Sequence, residues 1–471
     1  MTEARYLPAH RPSWGWVLWA MLPGVAAAEP AAATDWKFDV LRLKNGNTIT
    51  GLLLEESLEY VRFQYVKQLR GQPTFTHVAV IRTAEIARIE RLSPADRAVL
   101  ASRLKALDPR GEGERARMSR LELRPAAWGK NGATGWSYST DHFILVSNAR
   151  EDIVRRVAVR LEEITAAYVR FLPPKHTAAE PTTILLAESL AEYQAVLKDM
   201  GRSDLLNLAF YDPKRNTIVC ASDLQALGDD LERLRKQLEL WRAELRQKEA
   251  ELNKLYKGKV PESFRQEIAA SRRRMDAAEQ QSEEAFRRAT RRLFQTLYHE
   301  AFHAYLANNV YRLPEADLPR WLNEGLAQIF ETAIVEAGEL RLGHADPERL
   351  QRVKAALAGK AGLVPLADLL RSGRAHFVLG HGSDQEVANQ HYLTAWALAF
   401  YLTFERRLLG TERLDAYAAR CARPETDPLW AFQQLVGEPL PQFERAFHQY
   451  LRLLQPDGSL ARKGPAPATD R

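Results

Sequence analysis

The sequence predicts an α+β protein, and three stretches carry that prediction. Residues 36–92 alternate apolar and polar side chains in short runs, a pattern typical of β-strands. Residues 136–222 alternate strand-like and helix-like segments, and residues 223–291 carry a long helical pattern with leucine at heptad-like spacing. At 471 residues, the chain is long enough for two or three domains.

The amino-acid composition of the chain limits the classes of binding partner that we expect. The chain is 46% hydrophobic and 27% charged, which is ordinary for a water-soluble protein. Its net charge of +6 is mild for this length, and Lys and Arg are mixed with Glu along the predicted helices. Because the sequence also lacks a nucleic-acid-binding motif, we expect no nucleic-acid partner.

Residues 1–28 are predicted to be a secretory signal peptide. Arg5 and Arg11 precede an apolar run at 14–28, and the small residues 26–28 form a cleavage site. The alternative is an uncleaved anchor, but the run is too short to span a bilayer comfortably. We therefore expect export to a bacterial periplasm or beyond. Cys220 and Cys421 could pair in such an oxidising compartment, or each could be a small buried residue.

Residues 36–92 are predicted to form a small SH3-like or Sm-like β-barrel. A hairpin is expected at 39–51 around Asn45–Gly46, because Asn-Gly favours the tight turns that join two strands. Further strand patterns lie at 58–66, 76–82 and 86–92. The barrel would be a docking module for an envelope partner or a folded spacer.

Residues 93–135 have the composition of a linker with one short helix after Ser93. The next domain is predicted to comprise 136–222 and 292–455. Its first part has three strand patterns and two helix patterns in alternation, at residues 143–146, 152–171, 182–186, 190–200 and 217–220. The tail at 456–471, which contains Pro, Gly and Lys, is expected to be disordered.

Residues 223–291 are predicted to be an inserted antiparallel coiled-coil hairpin. Apolar residues follow three- and four-residue steps along the first arm: Leu227, Leu231, Leu234, Leu238, Trp241, Leu245, Leu252 and Leu255. A turn at 257–262 precedes a return helix that continues without Gly or Pro to residue 299. The hairpin would be a rigid insertion, an arm for dimerisation or a gate for substrate; the oligomeric state stays open.

The most specific motif is His299-Glu300-x-x-His303. On a helix the two histidines lie one turn apart on the same face, where they can bind one Zn²⁺, and Glu300 can face a metal-bound water. A catalytic zinc site uses three protein ligands, and Glu324 in the predicted helix 321–330 is the candidate third ligand. Gly325 is unfavourable inside a helix, which predicts a close backbone approach there.

The motif followed by Trp-Leu-Asn-Glu-Gly-Leu-Ala at 321–327 resembles the gluzincin metallopeptidases. More closely, it is similar to the peptidase-MA-like DUF1570 proteins of bacterial cell envelopes. The resemblance implies a small sheet with helices, Zn²⁺ held by His299, His303 and Glu324, and Tyr392 near the metal as an oxyanion donor. The alternative for Tyr392 is a hydroxyl that is hydrogen-bonded in the core. Gln328 stands where thermolysin-like enzymes carry an Asp that braces a ligand histidine.

These observations predict an exported zinc-dependent peptidase. Glu300 would act as general base, with Tyr392 helping to stabilise the oxyanion, and the substrate would be a protein or peptide. The alternative is a catalytically silent envelope binding or scaffold protein whose metal is structural or vestigial, with partners on the barrel or the coiled coil.

Overall fold

The computed structural model describes residues 36–461 except 109–110, 130–131, 203–206, 223–224, 313–314, 338, 360–361 and 378–382. The predicted signal peptide and residues 462–471 therefore lie outside the described residues. The described chain divides into two compact units. One comprises 115–160 and 181–297; the other comprises 36–114, 161–180 and 298–461.

The small β-region begins the second unit as an antiparallel sheet with strand order β4-β3-β2-β1-β5. The expected Asn-Gly hairpin is confirmed, because β1 and β2 pair across a turn in which Gly46 has a φ of +87°. The elements in chain order are β1 (Asp39–Leu43), β2 (Thr48–Glu56), β3 (Tyr60–Lys67), β4 (Phe75–Arg82), β5 (Ile86–Glu90) and helix α1 (Pro94–Ala106).

The predicted closure into a barrel is wrong: in the described chain, β4 and β5 are the two edges of an open sheet and do not pair with each other. One face of the sheet packs against a helix, because Leu52 and Val66 form a cluster with Leu100 and Leu104 of α1. Ser93 caps α1, with its hydroxyl accepting from the Asp96 N–H at 3.1 Å.

The first unit is built on a six-stranded mixed sheet with strand order β10-β11-β9-β8-β7-β6. The three predicted strands β8, β9 and β11 form its parallel centre. The remaining strands were not predicted, and β6 lies within the stretch expected to be a linker. The elements are α2 (Glu112–Arg120), β6 (Arg124–Trp128), β7 (Ala133–Ser139), β8 (Phe143–Ser147), α3 (Glu151–Phe171), β9 (Thr182–Ala187), α4 (Leu190–Asp199), β10 (Ala209–Asp212) and β11 (Thr217–Ala221).

Two long helices follow, α5 (Gln225–Leu255) and α6 (Glu262–Tyr305). They run antiparallel: Arg242 pairs with Glu279 at 2.7 Å, whereas Lys248, further along α5, pairs with Glu267, earlier on α6, at 3.4 Å. Leu238 of α5 is buried, whereas Trp241 and Leu255 are exposed. Next to the exposed Trp241, it is the charged Arg242 that faces α6. The predicted apolar seam is therefore interrupted at this level. The side chains of Leu227 and Leu231 lie outside the described residues, and supercoiling stays a prediction.

The last turns of α6 and the rest of the chain complete the second unit. A π-helical turn at Leu306–Val310 ends α6. The following elements are α7 (Arg320–Glu331), β12 (Ile334–Glu336), β13 (Glu339–Arg341), α8 (Pro347–Ala358), α9 (Leu366–Arg371), α10 (Ser383–Phe400), α11 (Glu412–Cys421), α12 (Pro428–Val436) and α13 (Leu440–Leu453). Of the predicted disordered tail, 456–461 are described and form a turn in which the Ala461 N–H bonds to Leu453 O at 2.7 Å.

Aromatic packing sets the spacing of α6 and α7. The rings of Phe302 and Phe330 stack at 3.9 Å, and Tyr168 of α3 meets both edge-on. The buried Tyr168 hydroxyl donates to the Tyr298 carbonyl at 2.8 Å, which ties α3 to α6 at the residue before the motif. Since buried aromatic side chains have few alternative rotamers, this cluster holds the two helices at one separation.

The small sheet also contacts the β12–β13 hairpin that follows α7. Glu336 accepts from the Thr74 N–H at 2.8 Å, and Arg341 donates to the Leu69 carbonyl at 2.7 Å. In the described residues, no helix combines the length with the apolar composition that a membrane-spanning helix requires. Cys220 and Cys421 do not form a disulfide with each other in this structure.

Candidate metal centre

Helix α6 presents His299 and His303 side by side. Their rings lie 4.8 Å apart with an interplanar angle of 84°. Leu297 and Phe302 of the same helix are both fully buried, so the helix is held on the sides that flank the histidines. The predicted helical motif is therefore confirmed as local structure, and α6 continues through it as one helix from Glu262.

Helix α7 brings Glu324 to both histidines. Its Oε2 lies 3.3 Å from His299 Nε2, and its Oε1 lies 3.6 Å from His303 Nε2. One ligand atom from each of the three residues lies within 4.8 Å of the other two. Ligands about 2.1 Å from a tetrahedral zinc ion are separated by about 3.4 Å, which is close to the two distances between Glu324 and the histidines, and the donor types suit such an ion.

Gly325 allows α7 to lie close to α10. A Cβ atom at this position would be 2.4 Å from the Ala395 carbonyl oxygen and 2.7 Å from the Ala399 Cβ. The predicted close approach is confirmed, and its partner is the α10 backbone. Gly325 therefore helps to set the position of α7, and with it the position of Glu324.

The sequence interpretation missed Glu331, which lies behind His299. Its Oε2 accepts from His299 Nδ1 at 2.8 Å, and its other oxygen pairs with Arg349. Gln328, at the position of the bracing Asp in thermolysin-like enzymes, instead donates to the Tyr392 carbonyl at 3.0 Å. Glu331 lies two helical turns after Glu324 and thus on the same face of α7, which is the signal that could have identified it.

The second histidine is oriented by a neighbour of Glu324. The His303 Nδ1–H donates to Asn323 Oδ1 at 2.7 Å. Each histidine therefore uses Nδ1 for a protein hydrogen bond and turns Nε2 toward Glu324. Partners of this kind fix the tautomer and ring orientation of metal-binding histidines.

Glu300 is buried beside these residues, with 8% of its surface exposed. Within the described part of the chain, its carboxylate makes no hydrogen bond or ion pair, in contrast to Glu324 and Glu331. A buried carboxylate without such a partner is unusual, because desolvation of the charge is costly. Glu300 is thus the carboxylate of this centre that is available to accept a proton.

Tyr392 lies on α10, and its hydroxyl donates to the Phe377 carbonyl at 2.8 Å. Burial raises the pKa of Tyr392 above its usual range, and the negative charges of Glu324 and Glu300 raise it further. The hydroxyl is therefore a proton donor at neutral pH. In this structure its hydrogen-bond partner is the carbonyl of Phe377, rather than a histidine or carboxylate of the centre.

The charges of the centre favour a cation between the side chains. Burial alone would lower the pKa of His299, but Glu324 and Glu331 outweigh burial and raise that pKa to about 10. Burial would raise the pKa of Glu324, but His303 and Arg320 hold it well below its usual range. The pKa of Glu331 is also lowered, because His299 and Arg349 outweigh its burial. All three shifts have the direction expected where the two carboxylates stabilise positive charge at the centre.

Comparison with known proteins is informative for one segment of the chain. A family model described as "Protein of unknown function (DUF1570)" matches residues 294–421. The matched segment contains His299, Glu300, His303 and Glu324, as well as Glu331, Arg349 and Tyr392. No curated protein and no solved structure matches the chain.

Proposed function

We propose that the protein is an exported zinc-dependent peptidase of the gluzincin type. The observation that carries this proposal is the convergence of His299, His303 and Glu324 within 4.8 Å, beside a buried Glu300 that has no hydrogen-bond partner among the described residues. A zinc-binding motif alone would support metal binding only. The uncommitted carboxylate supports catalysis, because a general base must be free to accept a proton.

His299, His303 and Glu324 would hold the ion, with Glu331 and Asn323 orienting the two histidine rings. When bound, Zn²⁺ supplies a Lewis acid that lowers the pKa of water to about 7 and polarises a carbonyl oxygen. Glu300 would accept the proton of the attacking water at its carboxylate and then deliver it to the leaving nitrogen of the peptide bond. The bond that forms is carbon–oxygen, and the bond that breaks is the carbon–nitrogen bond of the amide.

Tyr392 is the proposed second group for the developing negative charge on the carbonyl oxygen. Its raised pKa keeps the hydroxyl protonated, as this role requires. The hydroxyl would have to exchange the Phe377 carbonyl for the substrate oxygen. Export remains part of the proposal and is supported by residues 1–28 of the sequence alone.

Metal analysis followed by peptide-library cleavage tests the proposal. We expect about one equivalent of zinc per chain and cleavage that a chelator abolishes and added zinc restores. One equivalent of zinc without cleavage of any library peptide would instead support the non-catalytic envelope protein. Failure to bind zinc at all would contradict both forms of the metal proposal.

A further inference from the structure

Arg320 is a charged residue of the centre to which the zinc mechanism gives no role. It lies one turn before Glu324 on α7, and its guanidinium is 2.6 Å from Glu324 Oε1. The Arg320 side chain is 37% exposed, whereas that of Glu324 is only 2% exposed. Arg320 therefore reaches from the edge of the centre to a carboxylate that is otherwise enclosed.

The two oxygens of Glu324 have different partners. Oε1 forms the ion pair with the Arg320 guanidinium, and Oε2 is the oxygen nearest to His299 Nε2, at 3.3 Å. The distance from Oε1 to His303 Nε2 is longer, at 3.6 Å. A carboxylate oxygen that already pairs with a guanidinium is a weaker donor to a second cation. Oε2 is therefore the better metal donor.

We propose that Arg320 is a positioning residue that holds Glu324 Oε1, so that Glu324 binds the metal through Oε2 alone. This inference rests on the proposed zinc site. It assigns Glu324 a single coordinating oxygen and leaves the fourth position of a tetrahedral ion open for water or substrate.

The surroundings of Arg320 favour this role over a general structural one. Glu324 is its ion-pair partner, and its Nε atom is buried without a hydrogen-bond partner among the described residues. A buried donor without a partner costs free energy, so packing alone does not explain why the guanidinium lies here. The ion pair with a nearly inaccessible carboxylate offsets that cost and also neutralises Glu324 before a metal binds.

Two substitutions separate the effects of charge and geometry. Arg320→Met keeps much of the apolar stem but removes the charge and the donors, whereas Arg320→Lys keeps the charge without the planar fork. Arg352→Met is the matched control, because Arg352 is exposed on α8 and has no ion pair or hydrogen bond among the described residues. Circular dichroism of each metal-free variant verifies that it is folded.

The measurements are the zinc dissociation constant from chelator competition and the visible spectrum of the cobalt-substituted protein. For Arg320→Met we expect zinc binding to weaken by about 10- to 100-fold, as for other residues that orient metal ligands. We also expect the intense four-coordinate cobalt bands to weaken, because the released Oε1 becomes a fifth ligand. Arg320→Lys should recover part of the affinity, and Arg352→Met should match the parent.

An Arg320→Met protein with the affinity and cobalt spectrum of Arg352→Met would overturn the inference while leaving the zinc site intact. Equal zinc affinity for Arg320→Met and Arg320→Lys, both weakened, would contradict the expected recovery and with it the role of the ion pair in holding Glu324 Oε1. A parent protein that binds no zinc would overturn the proposed function itself, so the two failures are distinguishable.

Discussion

Replacement of Gly325 by alanine tests whether close packing of α7 on α10 builds the centre. The new Cβ would lie 2.4 Å from the Ala395 carbonyl oxygen, whereas ordinary contacts begin at 3.4 Å. The obstructing atom is backbone, so the helices would have to separate by about 1 Å. Overpacking of this kind costs about 1–3 kcal/mol. The better helix propensity of alanine offsets about 1 kcal/mol, so we expect a net destabilisation of up to about 2 kcal/mol.

The displacement also predicts a functional loss, because α7 carries Glu324 and Glu331. A misplacement of about 1 Å at a reacting site lowers the rate on the order of 100-fold, so we expect Gly325→Ala to weaken zinc binding and peptide cleavage together. Urea denaturation and chelator competition are the assays. Gly373→Ala is the control, because a Cβ there meets nothing within 4 Å. A Gly325→Ala protein as stable as this control, with unchanged zinc affinity, would refute the reasoning.

Two further predictions concern the neighbours of the ligands. Glu331→Gln should weaken zinc binding by about 10- to 100-fold, because His299 Nδ1 loses its charged partner. Chelator competition measures the zinc affinity, with Glu348→Gln on the exposed surface as the control. Equal zinc affinities for the two variants would show that Glu331 does not support the site. Tyr392→Phe should lower kcat by about 100-fold with unchanged zinc affinity, because the variant lacks the hydroxyl that is proposed to stabilise the oxyanion. An unchanged kcat would show that the hydroxyl only donates its hydrogen bond to the Phe377 carbonyl.

Much of the candidate centre could be predicted because its parts are local in sequence. The i, i+4 spacing of His299 and His303 places them on one helical face, and the apolar residues around Glu324 predict a second helix. Gly325 was recognisable as a packing position from its cost in a helix. These inferences need only the geometry of single helices, and the structure agrees with each of them.

The bracing partners could not be predicted, because they depend on how helices meet. Glu331 reaches His299 only when α7 packs on α6, and Arg349 approaches Glu331 from α8. The resemblance to thermolysin-like enzymes points to Gln328, which lies one turn before Glu331 on α7. Glu331, which fills the role, lies two turns after Glu324 on the same face of α7; helical spacing indicates that face, but not that His299 meets it.

The wrong prediction of a closed barrel and the interruption of the hairpin's apolar seam have a similar origin. Strand patterns in 36–92 predict which neighbouring strands pair, but not whether the edge strands β4 and β5 pair to close a barrel. In the structure the sheet stays open, and α1 packs on one of its faces. In the hairpin, the three- and four-residue steps include Trp241, yet Arg242 faces α6 through its ion pairs. Hydrophobic periodicity predicts approximately which face of a helix is buried. The individual side-chain contacts decide how the helix is rotated about its axis.

The most direct test of the account compares the parent protein with Glu300→Gln. This change removes the proposed base and keeps the shape of the side chain, while His299, His303 and Glu324 remain. We predict about one equivalent of zinc in both proteins, with chelator-sensitive cleavage of a peptide library by the parent and a loss of at least about 100-fold in the variant. A variant that binds zinc and cleaves at the full parental rate would contradict the assignment of Glu300, and with it the proposed mechanism.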